Sequence, residues 1–267
     1  HIFSKENFAA VMHFAGHIEV AESINNPSKY YDNNVRGSLS LLDCMIKHEV
    51  KQLIFSSTAA VYGTPEVSPL DESHPTRPIN PYGQTKLIIE QVLADYQRAY
   101  DLNFVCLRYF NAAGADYKNG IGESHQPETH LIPLVLQTAS GRRSSIAIFG
   151  NDYATHDGTC IRDYIHVIDL CEAHLLALTY LLETGKSGHF NLGNGTGFSV
   201  QEVIATARQV TGKEIPVQLE SRRTGDPALL VADASQAKAI LNWQPKHDQL
   251  DDMVSDAWQW EQRLASN

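Results

Sequence analysis

A chain of 267 residues with 43% hydrophobic and 19% charged residues has the composition of a soluble globular protein, one large domain or two modest ones. Its net charge is −10 and no Lys/Arg run exceeds two residues, which argues against nucleic acid or an anionic membrane surface as partner. Small phosphate-bearing molecules stay open, since one or two local arginines suffice to hold them.

Cys44, Cys106, Cys160 and Cys171 show no Cys-x-x-Cys spacing and read as free core thiols in a reducing, cytoplasmic compartment. No apolar stretch approaches the roughly 18 residues a membrane span needs. The opening His1-Ile2-Phe3-Ser4-Lys5 does not read as a signal peptide.

In chain order, residues 9–14 read as a short buried strand ending in Ala15-Gly16. Residues 27–48 read as a helix, with Pro27 in its first turn and Val35, Leu39, Leu42 and Ile46 on one face. A strand at 52–55, a helix at 81–100 and a strand at 104–107 follow. Strands and helices alternating in this way predict a parallel sheet covered on both faces. Residues 112–128 read as a loop and the best domain boundary. Beyond it, helices are expected at 131–140, 167–182, 200–211, 235–241 and 249–264, with strands at 146–149 and 189–192.

Tyr82 and Lys86 stand four apart in Pro81-Tyr82-Gly83-Gln84-Thr85-Lys86, on one face of the expected helix. With 11 Tyr and 10 Lys in the chain, chance supplies roughly 0.4 such pairs, so spacing alone is weak. The context strengthens it: the strand-end hydroxyls Ser56-Ser57-Thr58 lie upstream, and Pro-Tyr opens the helix. An ammonium beside a phenol favours phenolate, which can take a proton from an alcohol as hydride leaves the same carbon. Three strand ends converge at the carboxyl edge where such sheets bind ligands: Phe14-Ala15-Gly16, Ser56-Ser57-Thr58 and Tyr109-Phe110-Asn111. Gly16 allows close backbone approach to a cofactor.

Other signals are weaker. Gly193-Asn194-Gly195-Thr196-Gly197 mimics a dinucleotide loop, but its third glycine is one position early, and a tight turn before a helix capped by Ser199 is the simpler reading. Arg162-Asp163-Tyr164-Ile165-His166 and Arg222-Arg223-Thr224-Gly225-Asp226 each offer guanidinium groups that suit phosphate, though surface ion pairs are the commoner role. His13, His130 and His166 show no metal-ligand spacing among them, and no metal is expected. Gly-x-Ser-x-Gly is absent.

Taken together, these motifs resemble a known family. Phe14-Ala15-Gly16, Tyr30-Tyr31-Asp32-Asn33-Asn34, Ser56 through Gly63, Pro81 through Lys86, Leu107 through Asn111, Ala147 through Tyr153, Arg162 through Val167 and Arg222 through Asp226 follow one another as in UDP-glucose 4-epimerases. These are extended short-chain dehydrogenase/reductases, and the resemblance covers nearly the whole chain. It implies an α/β fold: a Rossmann-like doubly wound parallel sheet lacking its N-terminal strands (residues 1–111), with a smaller α/β substrate-binding domain (112–267). Parts of 160–195 are expected to pack back on the sheet.

The resemblance also implies NAD as cofactor, a UDP-sugar as substrate, and epimerisation at C4 of UDP-glucose or UDP-galactose through a 4-keto sugar. Tyr82 would take the O4 proton, Lys86 would hold the nicotinamide ribose and lower the Tyr82 pKa, and Thr58 would supply a hydroxyl. Phe14, Ala15, Gly16, Asn33, Ser56 and Tyr109 join Tyr82 and Lys86 at cofactor-contact positions. Thr58, Asn111, Leu131, Phe149, Arg162, Arg223 and Asp226 fall where the family holds the UDP-sugar, with Phe149 against uracil and the arginines on phosphates. A homodimer through helices matching 27–48 and 81–100 is implied as well.

Departures from the family pattern are His17-Ile18 in place of a cofactor-facing lysine, His130 in place of an asparagine, and Leu229 where relatives vary between tyrosine and a small residue. The family begins with a strand, a Gly-x-x-Gly-x-x-Gly loop, a helix and two more strands, roughly 60–70 residues with no counterpart before His1. A fragment of a normal enzyme is therefore expected, with a non-catalytic relative lacking NAD as the alternative. A 4,6-dehydratase would share Tyr82 and Lys86 but needs an Asp-Glu pair after the strand-end threonine. Those positions are Ala59-Ala60.

Overall fold

The computed structural model describes residues 1–223 and 226–266, so Thr224 and Gly225 of the arginine-bearing loop lie outside the described residues. Strand β1 (Val11–His13) is shorter than the 9–14 run, and helix α1 (Val20–Asn25) follows where none was expected. The 27–48 helix is divided: α2 (Pro27–Tyr30) and α3 (Gly37–Lys47) flank a π-helical turn at Tyr31–Arg36 that carries Asn33 and Asn34. Such turns occur disproportionately at functional sites. Strand β2 (Gln52–Ser56), helix α4 (Pro81–Tyr100) and strand β3 (Asn103–Tyr109) come in the expected order.

The 112–128 segment is not wholly loop, because β4 (Asn111–Ala113) opens it and a 3₁₀ turn sits at Tyr117–Asn119. Then come α5 (Leu131–Ala139), β5 (Ile146–Phe149), β6 (Ile161–His166), α6 (Val167–Thr184) and β7 (Gly188–Leu192). The chain continues through β8 (Gly197–Ser199), α7 (Val200–Thr211), β9 (Val217–Glu220), β10 (Leu229–Leu230), α8 (Ser235–Ile240) and α9 (Leu250–Ser266).

The main sheet runs β1-β2-β3-β7, all parallel. Its strands are apolar on both faces, and alternation sorts their side chains. Leu53, Phe55, Phe104 and Cys106 pack with Leu42 and Met45 of α3 and Ile89 and Leu93 of α4. Ile54, Val105, Leu107, Phe190 and Leu192 pack with Leu170, Ala173, Ala177 and Leu181 of α6, and with Trp243. Each fully buried aliphatic or Phe side chain contributes about 1.5–3 kcal/mol. Both α6 and β7 thus belong to this layer although they follow residue 112.

A second core gathers α5, α7 and α9 over β5 and β6, centred on Val135, Leu136, Val203, Met253 and Val254. Strands β10, β6 and β4 form a small parallel sheet with β8 antiparallel on β6, and β5 pairs with β9. Since β4 follows β3 after one residue, the second unit starts at the carboxyl edge of the main sheet. The thiols divide: Cys106 and Cys160 are buried, but Cys44 and Cys171 are exposed, contrary to the expectation of four core thiols.

Candidate active site

Helix α4 presents its first turn to the end of β2. Asn80 caps it, its Oδ1 accepting from the Gly83 amide at 2.8 Å, and Pro81 occupies the first turn, where no amide is needed. Gly83 is required for the approach: a Cβ there would lie 2.5 Å from the Ala60 carbonyl oxygen. The helix start is thereby held against the turn Ala59–Val61, which Thr58 caps by accepting from the Ala60 amide at 3.2 Å.

Tyr82, Lys86 and Glu90 share one face of α4 at spacings of four. Lys86 is 3% exposed; its Nζ donates to the Ser56 carbonyl at 2.8 Å and stands 4.9 Å from the Phe55 ring centroid. Burial pushes this ammonium down to about 8, with Glu90 opposing. Burial likewise pushes the Tyr82 phenol up, Tyr109 adds to this, and a hydrogen bond with Thr58 pulls it back. Burial is the dominant influence on Tyr82, and the Lys86 donor is turned to the Ser56 carbonyl. Ser56 Oγ and Tyr109 OH share a short hydrogen bond, joining two predicted cofactor residues across β2 and β3.

The strand-end loop after β1 is fastened by the last residue of the Tyr30–Asn34 motif, to which the sequence assigned no role. Asn34, 1% exposed on the π turn, accepts from the His17 amide at 2.8 Å and from Asn33 Nδ2 at 2.9 Å. Its Nδ2 donates to the His17 carbonyl at 3.0 Å and to Thr85 Oγ1 at 3.2 Å. Nothing in the sequence separates it from its exposed neighbour Asn33; only the fold buries it. Gly16 lies beside this clamp: a Cβ there would stand 3.3 Å from Asn34 Oδ1 and 3.6 Å from Lys86 Nζ. Phe14 is 55% exposed with its ring 4.8 Å from His174, and Ala15 is exposed.

Beneath Ser57 runs a buried polar network, also missed because charged residues in a helix and a strand read as solvated. Glu90 accepts from Ser57 Oγ at 2.5 Å and from Arg108 Nε and Nη2 at 3.0 and 2.6 Å. Arg108 Nη1 donates to Tyr62 OH at 3.1 Å, and Tyr62 donates to Asn191 at 2.6 Å. The network ties α4 to β3 and β7 and so fixes where Tyr82 and Lys86 stand.

The second group of predicted residues gathers at the ends of β5 and β6. The Arg223 guanidinium lies 3.8 Å over the Phe149 ring, and Arg162 Nη2 pairs with Asp226. Asn111 Nδ2 donates to the Asp163 carbonyl at 2.7 Å, linking this group to the end of β3. Leu131, by contrast, packs on the second core at the start of α5.

The glycine loop after β7 is not a phosphate cradle. Its Asn194 and Gly195 amides donate to the two oxygens of buried Asp163 at 2.9 and 3.0 Å, and the Ala232 amide joins them at 3.1 Å. Burial pushes that carboxyl up to about 6 while these three amides oppose it.

The donors around Gly16 suit a dinucleotide. The Lys86 ammonium and the Asn34 amide stand beside a backbone that has no Cβ to obstruct approach.

A family described as GDP-mannose 4,6 dehydratase matches residues 1–257. A UDP-glucose 4-epimerase of Halalkalibacterium halodurans is 56% identical over 259 residues, 97% of this chain and 78% of that relative. The crystal structure of UDP-glucose 4-epimerase from Brucella ovis in complex with NAD superposes with a TM-score of 0.92 at 48% identity, covering 94% of this chain and 77% of that one. That from Bifidobacterium longum in complex with NAD+ and UDP also gives 0.92, at 42% identity over 98% of this chain and 78% of that one. At this identity and coverage, the chain belongs to the UDP-glucose 4-epimerase family.

Proposed function

We propose that Tyr82, Lys86 and Thr58 serve the NAD-dependent epimerisation at C4 of a UDP-hexose, the isomerase activity of this family. The observation that carries the residue assignment is the face of α4, where Tyr82 and Lys86 stand one turn apart against the Thr58 turn and the β2 terminus. Gly16, Asn33, Ser56, Lys86 and Tyr109 would hold NAD, which would supply a reversible hydride acceptor for C4 of the sugar.

Tyr82 accepts the O4 proton as C4 becomes a ketone and gives it back afterwards. Burial pushes the phenol up, so the proton moves only when positive charge stands near; Lys86 holds one such charge at neutral pH. Thr58 donates to the phenol oxygen and steadies it as it ionises. Asn33 and the Ser56–Tyr109 pair supply polar contacts for the cofactor riboses, beside the open backbone of Gly16. Phe149 offers a ring face for uracil, and Arg162 and Arg223 supply charge for the pyrophosphate once Asp226 and Phe149 release them.

Ala59 and Ala60, in the turn that Thr58 caps, carry no acid for water elimination, which favours epimerisation over dehydration. We further assign the first-sheet layer to NAD and the second unit to the UDP-sugar, and infer a homodimeric cytoplasmic enzyme. Free thiols support the reducing compartment, and among the described residues no helix is long and apolar enough to cross a membrane. Tyr82→Phe is expected to lower UDP-galactose to UDP-glucose turnover by about 10²–10⁴-fold with bound NAD retained. Turnover within twofold of wild type would overturn the assignment.

A further inference from the structure

The segment Glu123-Ser124-His125-Gln126-Pro127-Glu128-Thr129-His130 has no part in the chemistry above, yet it repeats acid and imidazole at spacings of two, three and two. His130 shows no metal-ligand spacing with His13 or His166, but the fold sets it beside His125 and two glutamates. One ligand atom from each of the four residues lies within 4.8 Å of the others. His125 Nδ1 is 2.9 Å from Glu123 Oε1 and 3.7 Å from Glu128 Oε1. His130 Nδ1 bonds to the same Glu123 oxygen and is 3.9 Å from Glu128 Oε1. The carboxylates lie underneath, with side chains 19% and 6% exposed, and the two imidazoles cover them from the solvent side.

We propose that Glu123, His125, Glu128 and His130 form a structural site for a divalent transition-metal ion of the zinc type. Two imidazole nitrogens and two carboxylate oxygens are a borderline donor set that suits Zn²⁺ better than Ca²⁺ or Mg²⁺. Bonds of about 2.0–2.2 Å in a tetrahedron place ligand atoms roughly 3.4 Å apart. The Glu128 separations are already near that value, so the main adjustment is withdrawal of Glu123 from the imidazoles as the metal replaces their shared protons. A dication would neutralise the two carboxylates held close together.

The ligands are themselves anchored. Glu128 Oε1 accepts from the Thr129 and His130 amides at 2.8 and 2.9 Å, and Trp260 of α9 donates to the Glu123 carbonyl at 2.7 Å. Outer contacts of this kind orient metal ligands. His130 is the residue before α5, so the metal would staple the preceding loop to the helix that starts with Leu131. The other cluster, Glu90, Cys106 and His189, is a poorer candidate because Arg108 already neutralises Glu90.

The test is titration of tag-free, EDTA-stripped, full-length enzyme with ZnCl₂ by calorimetry, and with CoCl₂ by visible absorption. One equivalent of Zn²⁺ per chain is expected, with intense tetrahedral Co²⁺ bands. His125→Ala and His130→Ala should each weaken binding about tenfold or more, and the double variant should remove the bands. His156→Ala, at the separate Asp157 and Glu202 group, should bind as wild type does. Glu123→Gln keeps the side-chain shape and should also weaken binding, with circular dichroism showing each variant folded. Absence of stoichiometric binding, or binding that survives the folded double variant, would reduce the cluster to hydrogen-bonded pairs and overturn the proposal.

Discussion

Replacing Lys86 with methionine should stabilise the fold while it removes activity. The Lys86 ammonium is buried and its pKa is pushed from 10.5 down to about 8. That depression corresponds to about 3 kcal/mol by which the native state disfavours the charge. Methionine fills a similar volume without charge but leaves the Ser56 carbonyl unpaired, a loss of about 1 kcal/mol. A net gain of roughly 2 kcal/mol is expected at pH 7.

The pH dependence isolates the cause. Both states of the parent protein hold the proton below about pH 8, so the cost is constant there. Between about 8 and 10.5 the native state has released the proton and the unfolded state has not, so the parent gains stability as pH rises. The variant's advantage should therefore shrink by about 2 kcal/mol by about pH 9.5. Urea melts of both proteins at pH 7 and 9.5 make the comparison. A variant less stable at pH 7, or a difference that does not change with pH, would refute the reasoning.

Two further changes probe the surrounding structure. Arg108→Ala removes the guanidinium that pairs with buried Glu90, and should cost about 3–5 kcal/mol in a urea melt. Arg162→Ala should raise KM for the UDP-sugar about 10- to 100-fold and change kcat much less, because the charge-assisted contact proposed for it, of about 1.5–3 kcal/mol, would serve binding before and during the reaction alike.

Helix α4 was legible because local signals agreed: Pro-Tyr opens it, and Tyr82 and Lys86 stand four apart on one face. Strand β6 was not, because Arg162, Asp163 and His166 interrupt its apolar run. The burial of Asp163 and His166 depends on partners distant in sequence, as when Asp163 collects three loop amides. The clustering of Phe149, Arg162, Arg223 and Asp226 came from family resemblance; spacing alone would have left the arginines as surface ion pairs. Asn34 and the Glu90–Arg108 network escaped for a common reason. A polar side chain looks solvated in sequence, and only the fold reveals which ones are closed in by partners.

In the proposed reaction, hydride leaves and returns at C4 within one site, with Tyr82 carrying the proton. Full-length enzyme given UDP-galactose deuterated at C4 tests it directly, with mass and NMR analysis of the UDP-glucose formed. The label is expected to be retained at C4 of the product, and Tyr82→Phe to slow the conversion about 10²–10⁴-fold at intact NAD content. Loss of the label to water, or unchanged conversion by the variant, would contradict it.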